Sequence, residues 1–254
     1  MDYKFIKTEL KEGVATIVLN REPVNVMNIV MMEEIMGALK ALQKEKVKLL
    51  IFKAAGKAFS AGVEVADHMD GKDVKMIEVF HGMFRLMDEL AVPSIAVVNG
   101  VALGGGCELA IYCDMAIASD KAKFAQPEIK VGVFPSIAAL MMPRLMGRKK
   151  ALELLLSGDT IGAEEALSLG LINKVVPHDQ LEAEAESFIN KFSQNSGPVL
   201  KHTRAAVLKG MQDKQDKDLL EIEDIYLKQL MKTHDAQEGL HAFIGKRKAV
   251  WKEC

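Results

Sequence analysis

An α/β protein, with a β/α core followed by a helical C-terminal region, is predicted by three features of the sequence. Short apolar runs of strand length recur through the first half. One of them, Ser94-Ile-Ala-Val-Val98, runs into Gly100 and then Gly104, Gly105 and Gly106, ahead of an apolar helical run. From Gln180 onward the chain turns helical and more charged.

Taken in order, residues 3–10 and 14–20 read as two strands joined at Lys11-Glu-Gly13, with Gly at the turn. Pro23 puts residues 21–25 in a loop. Asn28 then caps a helix with the apolar stripe Met31, Ile35, Ala38, Leu39 and Leu42. Residues 47–53 form a strand too apolar for an exposed edge, and the small residues of 54–62 form a loop able to present backbone N–H groups. A polar stretch, 64–73, leads to a helix with Ile77, Phe80, Phe84 and Met87 on one face. Pro93 separates it from the central strand. Residues 114–119 form another strand, 123–125 lead to Gln126-Pro-Glu128, and Gly132 and Pro135 favour a loop over 131–139. Helical periodicity returns over about 140–157 and over 163–169, and a strand at 172–176 stops at Pro177. In the tail, Leu181, Ala185, Phe188 and Phe192 share a stripe. Gly197-Pro198 starts a helix ending near Gly210, and helices cover 217–233 and 236–248. No internal repeat is visible by eye.

With 254 residues the chain can bury one large core, or a domain with a helical appendage. Its net charge of −2 supplies no basic field for nucleic acid or an anionic membrane, and no apolar run reaches the length of a membrane span. Cys107, Cys113 and Cys254 are an odd count without a CxxC, as expected of reduced thiols. The six histidines lack paired spacing, so no metal site is expected. The amino terminus has no signal-peptide pattern, and the expected location is cytoplasmic.

The chemistry is concentrated in Asn99-Gly-Val-Ala-Leu-Gly-Gly-Gly-Cys-Glu108 and in Gln126-Pro-Glu128. Glycines at a helix start leave N–H groups unobstructed, and the helix dipole adds partial positive charge, a combination suited to a developing oxyanion. Glu108, between Cys107 and Leu109, is a carboxylate in an apolar setting whose pKa burial would raise. Two carboxylates beside a donor turn suggest proton transfer next to a polarised carbonyl. On spacing alone, the same glycines also suit plain helix–strand packing, Glu108 a helix cap, and Glu128 the start of a turn.

The chain resembles the enoyl-CoA hydratase/isomerase (crotonase) family over nearly its whole length. The resemblance rests on an ordered set of segments: Pro23-Val-Asn-Val-Met-Asn28, Lys57-Ala-Phe-Ser-Ala-Gly62, the Val98 to Glu108 stretch and Phe124-Ala-Gln-Pro-Glu-Ile-Lys-Val-Gly132. Leu156-Ser-Gly-Asp159, Ala166-Leu-Ser-Leu-Gly-Leu-Ile-Asn-Lys-Val-Val176 and Phe243-Ile-Gly-Lys-Arg247 follow. It implies a superhelix of stacked β-β-α turns, with a core over 1–195 holding the active site and a helical trimerisation region over 196–254. It implies an acyl-CoA thioester as substrate, with coenzyme A as part of that substrate and no separate cofactor, and a homotrimer or a hexamer of paired trimers. By position it implies Ala61 and Gly105 as the oxyanion-hole donors. Gly62, Val63, Glu64 and Gly104 would lie along the pantetheine and acyl groups, and Val24 and Val26 near the adenine end. Family hydratases resemble one another in having two glutamates, so Glu108 would orient water or take its proton and Glu128 would deliver a proton, in a syn addition.

Departures from the family pattern mark the substrate. Pro135-Ser-Ile-Ala-Ala-Leu-Met-Met-Pro-Arg-Leu145 contains no glycine where the family has a glycine-rich turn, so bulkier side chains are expected beside Glu128. Val63-Glu64-Val65 lacks the usual Asp. The runs 59–68 and 131–135 are similar to those of cyclohexa-1,5-diene-1-carbonyl-CoA hydratases of aromatic degradation. A general short-chain enoyl-CoA hydratase, an isomerase using Glu128 alone, and a non-catalytic CoA- or RNA-binding relative are the alternatives.

Overall fold

A computed structural model describes residues 3–211, 215–250 and 252. The strands, in chain order, are β1 (Ile6–Lys11), β2 (Val14–Leu19), β3 (Leu49–Ala54), β4 (Ala58–Ser60), β5 (Ser94–Val98), β6 (Val101–Leu103), β7 (Met115–Ser119), β8 (Lys123–Ala125), β9 (Thr160–Gly162) and β10 (Lys174–Val176). The helices are α1 (Ile29–Leu42), α2 (Asp73–Leu90), α3 (Gly105–Tyr112), α4 (Ser136–Met146), α5 (Arg148–Ser157), α6 (Ala163–Ser168), α7 (Leu181–Ser193), α8 (Gly197–Met211), α9 (Gln215–Asp224) and α10 (His234–Ile244).

Two sheets form, in the orders β1-β2-β3-β5-β7-β10 and β4-β6-β8-β9. Strands β3, β5 and β7 are parallel in the first, and β4, β6 and β8 are parallel in the second. Each turn of chain therefore lays one strand in the large sheet and a short one in the small sheet, then adds a helix. The stacked β-β-α arrangement implied by the resemblance is the one observed. The central strands are buried on both faces, which is why they read as continuous apolar runs. Ile51, Ile95, Val97 and Ile117 face Leu181, Ala185 and Phe188 of α7, whereas Phe52, Ala96, Val98 and Ala118 face the main core. Asn28 caps α1 as expected, its side chain accepting from the N–H of Met31 at 3.0 Å. Among the described residues no helix is long and apolar enough to cross a membrane.

The differences from the sequence reading are local. The 54–62 loop contains β4, and the glycine stretch after β5 contains β6. Helix α4 begins inside the expected 131–139 loop, and Gly147, at φ +79°, separates it from α5 where one continuous pattern was expected. The final helical run is split by a π-helical turn, Ile225–Gln229, and a 3₁₀ turn, Leu230–Lys232.

Candidate active site

Helix α3 is buried along its whole length and carries Glu108 in its first turn. The Glu108 Oε1 accepts two hydrogen bonds, from the N–H of Ile137 at 2.7 Å and of Ala138 at 2.9 Å. Those amides belong to the first turn of α4, whose own flanking residue, Pro135, provides no side-chain cap. The carboxylate of one helix thus caps another. Burial pushes the Glu108 carboxyl up to about 7, and the two amides hold it back from rising further.

Glu128 lies in the 3₁₀ turn Pro127–Val131 that follows β8. Its Oε2 is buried and has no hydrogen-bond partner among the described residues. Burial first, and then the charge of Glu108, push its carboxyl well above the usual range. The two acids share a site in which both carboxyls are raised, and the two amides on Glu108 favour ionisation there, whereas the buried Oε2 of Glu128 has no such donor among the described residues. The turn between β6 and α3 makes room for this pair. Gly104 has φ +48°, and a Cβ there would stand 2.4 Å from Glu128 Oε1.

Both carboxylates border a cavity of about 370 Å³. Ala61, Gly62, Val63, Gly104 and Gly105 form one side of it. Ile77 and Phe80 of α2 and Val133 and Phe134 ahead of α4 give it an apolar wall. Of the glycine-free stretch 136–145, Ser136 alone reaches the cavity, so the bulk beside Glu128 comes from the residues before it.

The expected oxyanion donor Ala61 needs correction. Its N–H already donates to the carbonyl of Val24 at 2.9 Å, and the Gly62 N–H donates to Ser60 Oγ at 3.2 Å. In the bridge between Met27 and Val63, the Gly62 carbonyl accepts from Met27 and the Glu64 N–H donates back to Met27. Peptide groups alternate in direction along an extended segment, so the Val63 N–H faces away from Met27. Val63 also lies against the start of α3: a Cβ on Gly105 would stand 2.6 Å from Val63 Cγ2. Val63 and Gly105 both border this side of the cavity, and the Val63 amide is not taken up by the pairing with Met27. Val24 and Val26 are half-buried and do not border the cavity, though Val24 is bonded to the loop that does. Glu64 also lies off the cavity and pairs with Arg21 at 3.1 Å.

Sequence reasoning missed the contribution of the C-terminal helices. Tyr226, Leu240 and Phe243 border the cavity; Phe243 opens one of the family-like segments, but none of the three was expected at the site. It also missed a buried chain of polar groups behind the wall. Ser136 Oγ lies 2.6 Å from His81 Nε2, and His81 Nδ1 lies 2.6 Å from Glu223 Oε1.

The model of the enoyl-CoA hydratase/isomerase family matches residues 9–254. The chain belongs to this family. A relative in Rhizobium meliloti, named as a probable enoyl-CoA hydratase, is 37% identical over 257 residues and covers 99% of each protein. The crotonyl-CoA hydratase of Syntrophomonas wolfei is 36% identical over 256 residues, 98% of each. Among solved structures, an enoyl-CoA hydratase from Mycobacterium avium subsp. paratuberculosis superposes with a TM-score of 0.89 at 26% identity, over 99% of this chain and 100% of that one. The two-sheet superhelix of this family member is thus the crotonase fold, and its acidic pair lies within it.

Proposed function

We propose that this family member hydrates the conjugated double bond of an enoyl-CoA thioester. The observation that carries this reading is the pair of buried carboxylates in one cavity, one clamped by helix amides and one with an oxygen unpaired among the described residues. The thioester carbonyl oxygen would sit between the N–H groups of Val63 and Gly105, each able to stabilise developing negative charge by roughly 3 kcal/mol. Ionised Glu108 takes a proton from water as the water oxygen bonds to the β-carbon. The π electrons move towards the carbonyl to give an enolate, and the α-carbon then takes the proton held by Glu128. With both carboxyl groups on one side of a planar substrate, the addition is syn. Proton exchange with solvent returns Glu108 to the ionised and Glu128 to the protonated form.

The narrower substrate in this proposal is cyclohexa-1,5-diene-1-carbonyl-CoA, which would place the enzyme in aromatic degradation. It is supported by the likeness of residues 59–68 and 131–135 to that subgroup and by the apolar wall of Phe80, Val133 and Phe134. A general short-chain hydratase is the second reading, favoured by the similarity to the Syntrophomonas protein. Assembly as a trimer or a pair of trimers through residues 196–254 belongs to the same proposal, as does binding of the adenine end near Val24 and Val26.

Ultraviolet absorbance of the conjugated thioester tests it, with crotonyl-CoA and the cyclic dienoyl-CoA offered separately. Loss of the diene signal alone, reduced by about 10²–10⁴ in Glu128→Gln, is the expected result. Rapid loss with crotonyl-CoA would establish the general hydratase instead. No loss with either would overturn the hydratase reading.

A further inference from the structure

We propose that Tyr226 determines acyl specificity: its hydroxyl donates to, and the Ser136 oxygen accepts from, a hydroxyl group on the acyl chain. This rests on the reading of the cavity as an acyl-thioester site.

Tyr226 borders the cavity, is 2% exposed, and its hydroxyl has no partner among the described residues. A buried phenol is normally paired, because leaving its O–H without an acceptor forfeits the bond it made to water. Burial, followed by the charges of Glu128 and then Glu108, pushes its pKa up. The group therefore stays protonated and can donate.

Ser136 supplies the complementary half. Partial burial raises the Glu223 carboxyl, but hydrogen bonding to His81 and the adjacent Arg85 together outweigh it and hold it below its ordinary pKa, so its carboxylate only accepts. The His81 ring, fully buried, has its pKa lowered by that burial and is neutral. Its Nδ1 then carries the proton given to Glu223, which leaves Nε2 as an acceptor. The Ser136 O–H must donate to that nitrogen, and its oxygen offers only lone pairs to any other group.

Both side chains line the cavity and are linked through neighbours on two sides. Glu223 and Tyr226 are three residues apart where α9 continues into the π-helical turn, and residues so spaced share a face. The Tyr226 ring packs edge-on against Phe134, with centroids 5.3 Å apart, and Phe134 is two residues from Ser136. A ligand group answering a donor and an acceptor together must be able to do both. A carbonyl oxygen would accept from Tyr226 but meet lone pairs at Ser136, and a methyl group would satisfy neither. A hydroxyl satisfies both. It could be the one that hydration creates at carbon 3, or one already carried further along the chain.

Calorimetric titration of the full-length protein distinguishes these sources, comparing wild type with Tyr226→Phe. Butyryl-CoA and 4-hydroxybutyryl-CoA are titrated directly. 3-Hydroxybutyryl-CoA is titrated with Glu128→Gln present in both proteins, so that it is not dehydrated. Tyr226→Phe is expected to weaken a hydroxylated thioester about tenfold while leaving butyryl-CoA within about twofold. A loss confined to the 3-hydroxy arm assigns the contact to the hydroxyl made by the reaction, and one confined to the 4-hydroxy arm assigns it to a carried-in group. Equal effects on all three ligands, or no effect, would overturn the proposal while the thioester reading stands. Failure of wild type to bind any of the three would overturn both. Tyr226→Phe should also melt at the same or a higher temperature without ligand, since it removes an unpaired polar atom. A lower melting temperature would mean the hydroxyl is paired in the free protein, against the proposal.

Discussion

Glu108 and Glu128 differ in what surrounds each oxygen, and the difference sets the expected pH dependence. Catalysis as proposed needs Glu108 ionised and Glu128 protonated. The Glu108 carboxyl is pushed up to about 7, so kcat/KM should rise as pH climbs through that value. It should fall again at higher pH, where Glu128, held protonated by burial and by the charge of Glu108, loses its proton. Initial rates between about pH 5.5 and 9.5 would show this bell, and in Glu108→Gln the rise through neutral pH should vanish while the rate falls by about 10²–10⁴. A profile flat across neutrality would contradict the assignment. Both acids were legible in the sequence because each sits in a dense local motif. The oxyanion partner was not, since Ala61 and Val63 differ only in which way their amides face. The Ala61 amide is turned towards Val24 and the Val63 amide away from Met27, partners more than thirty residues earlier in the chain. Tyr226 was still less legible: it is brought to the wall by a helix with no motif of its own.

Short elements carry the site, and they are the ones a periodic pattern cannot reveal. Strands β4 and β6 have three residues each, too few to show alternation among small side chains. Helix α4 begins where glycine and proline suggested a loop because its first amides are satisfied by Glu108, 29 residues before Ile137. A cap supplied from so far away leaves no local signal. The turn from β6 into α3 leaves no room for a side chain beside Glu128, and Gly104→Ala tests it. The added methyl would meet Glu128 Oε1 at 2.4 Å on a backbone already at φ +48°. Displacement of the carboxylate by about an ångström should lower turnover about 100-fold. Holding alanine in that conformation should cost about 1–3 kcal/mol in urea unfolding. Unchanged turnover would mean that the Glu128 position is not critical.

Across the whole molecule, the β-β-α winding was legible from the ordered family segments, although no repeat was visible in the residues. Successive turns share a backbone path rather than side chains: Phe52, Ala96 and Ala118 face the main core from three successive parallel strands with no common sequence around them. The C-terminal helices then close the cavity from outside the winding, through Tyr226, Leu240 and Phe243. The loop of residues 23–28 is fastened to the loop carrying Val63 by three backbone hydrogen bonds, Ala61 to Val24, Met27 to Gly62 and Glu64 to Met27. A ligand gripping the first loop would act on a lever whose other arm positions one of the two amides at the reacting carbonyl. Binding energy gained at the nucleotide end would then be felt as rate and not only as affinity. The cyclic dienoyl thioester cut back to pantetheine should accordingly lose kcat as well as gain in KM. Full kcat on the shortened substrate would show that the lever has no purchase.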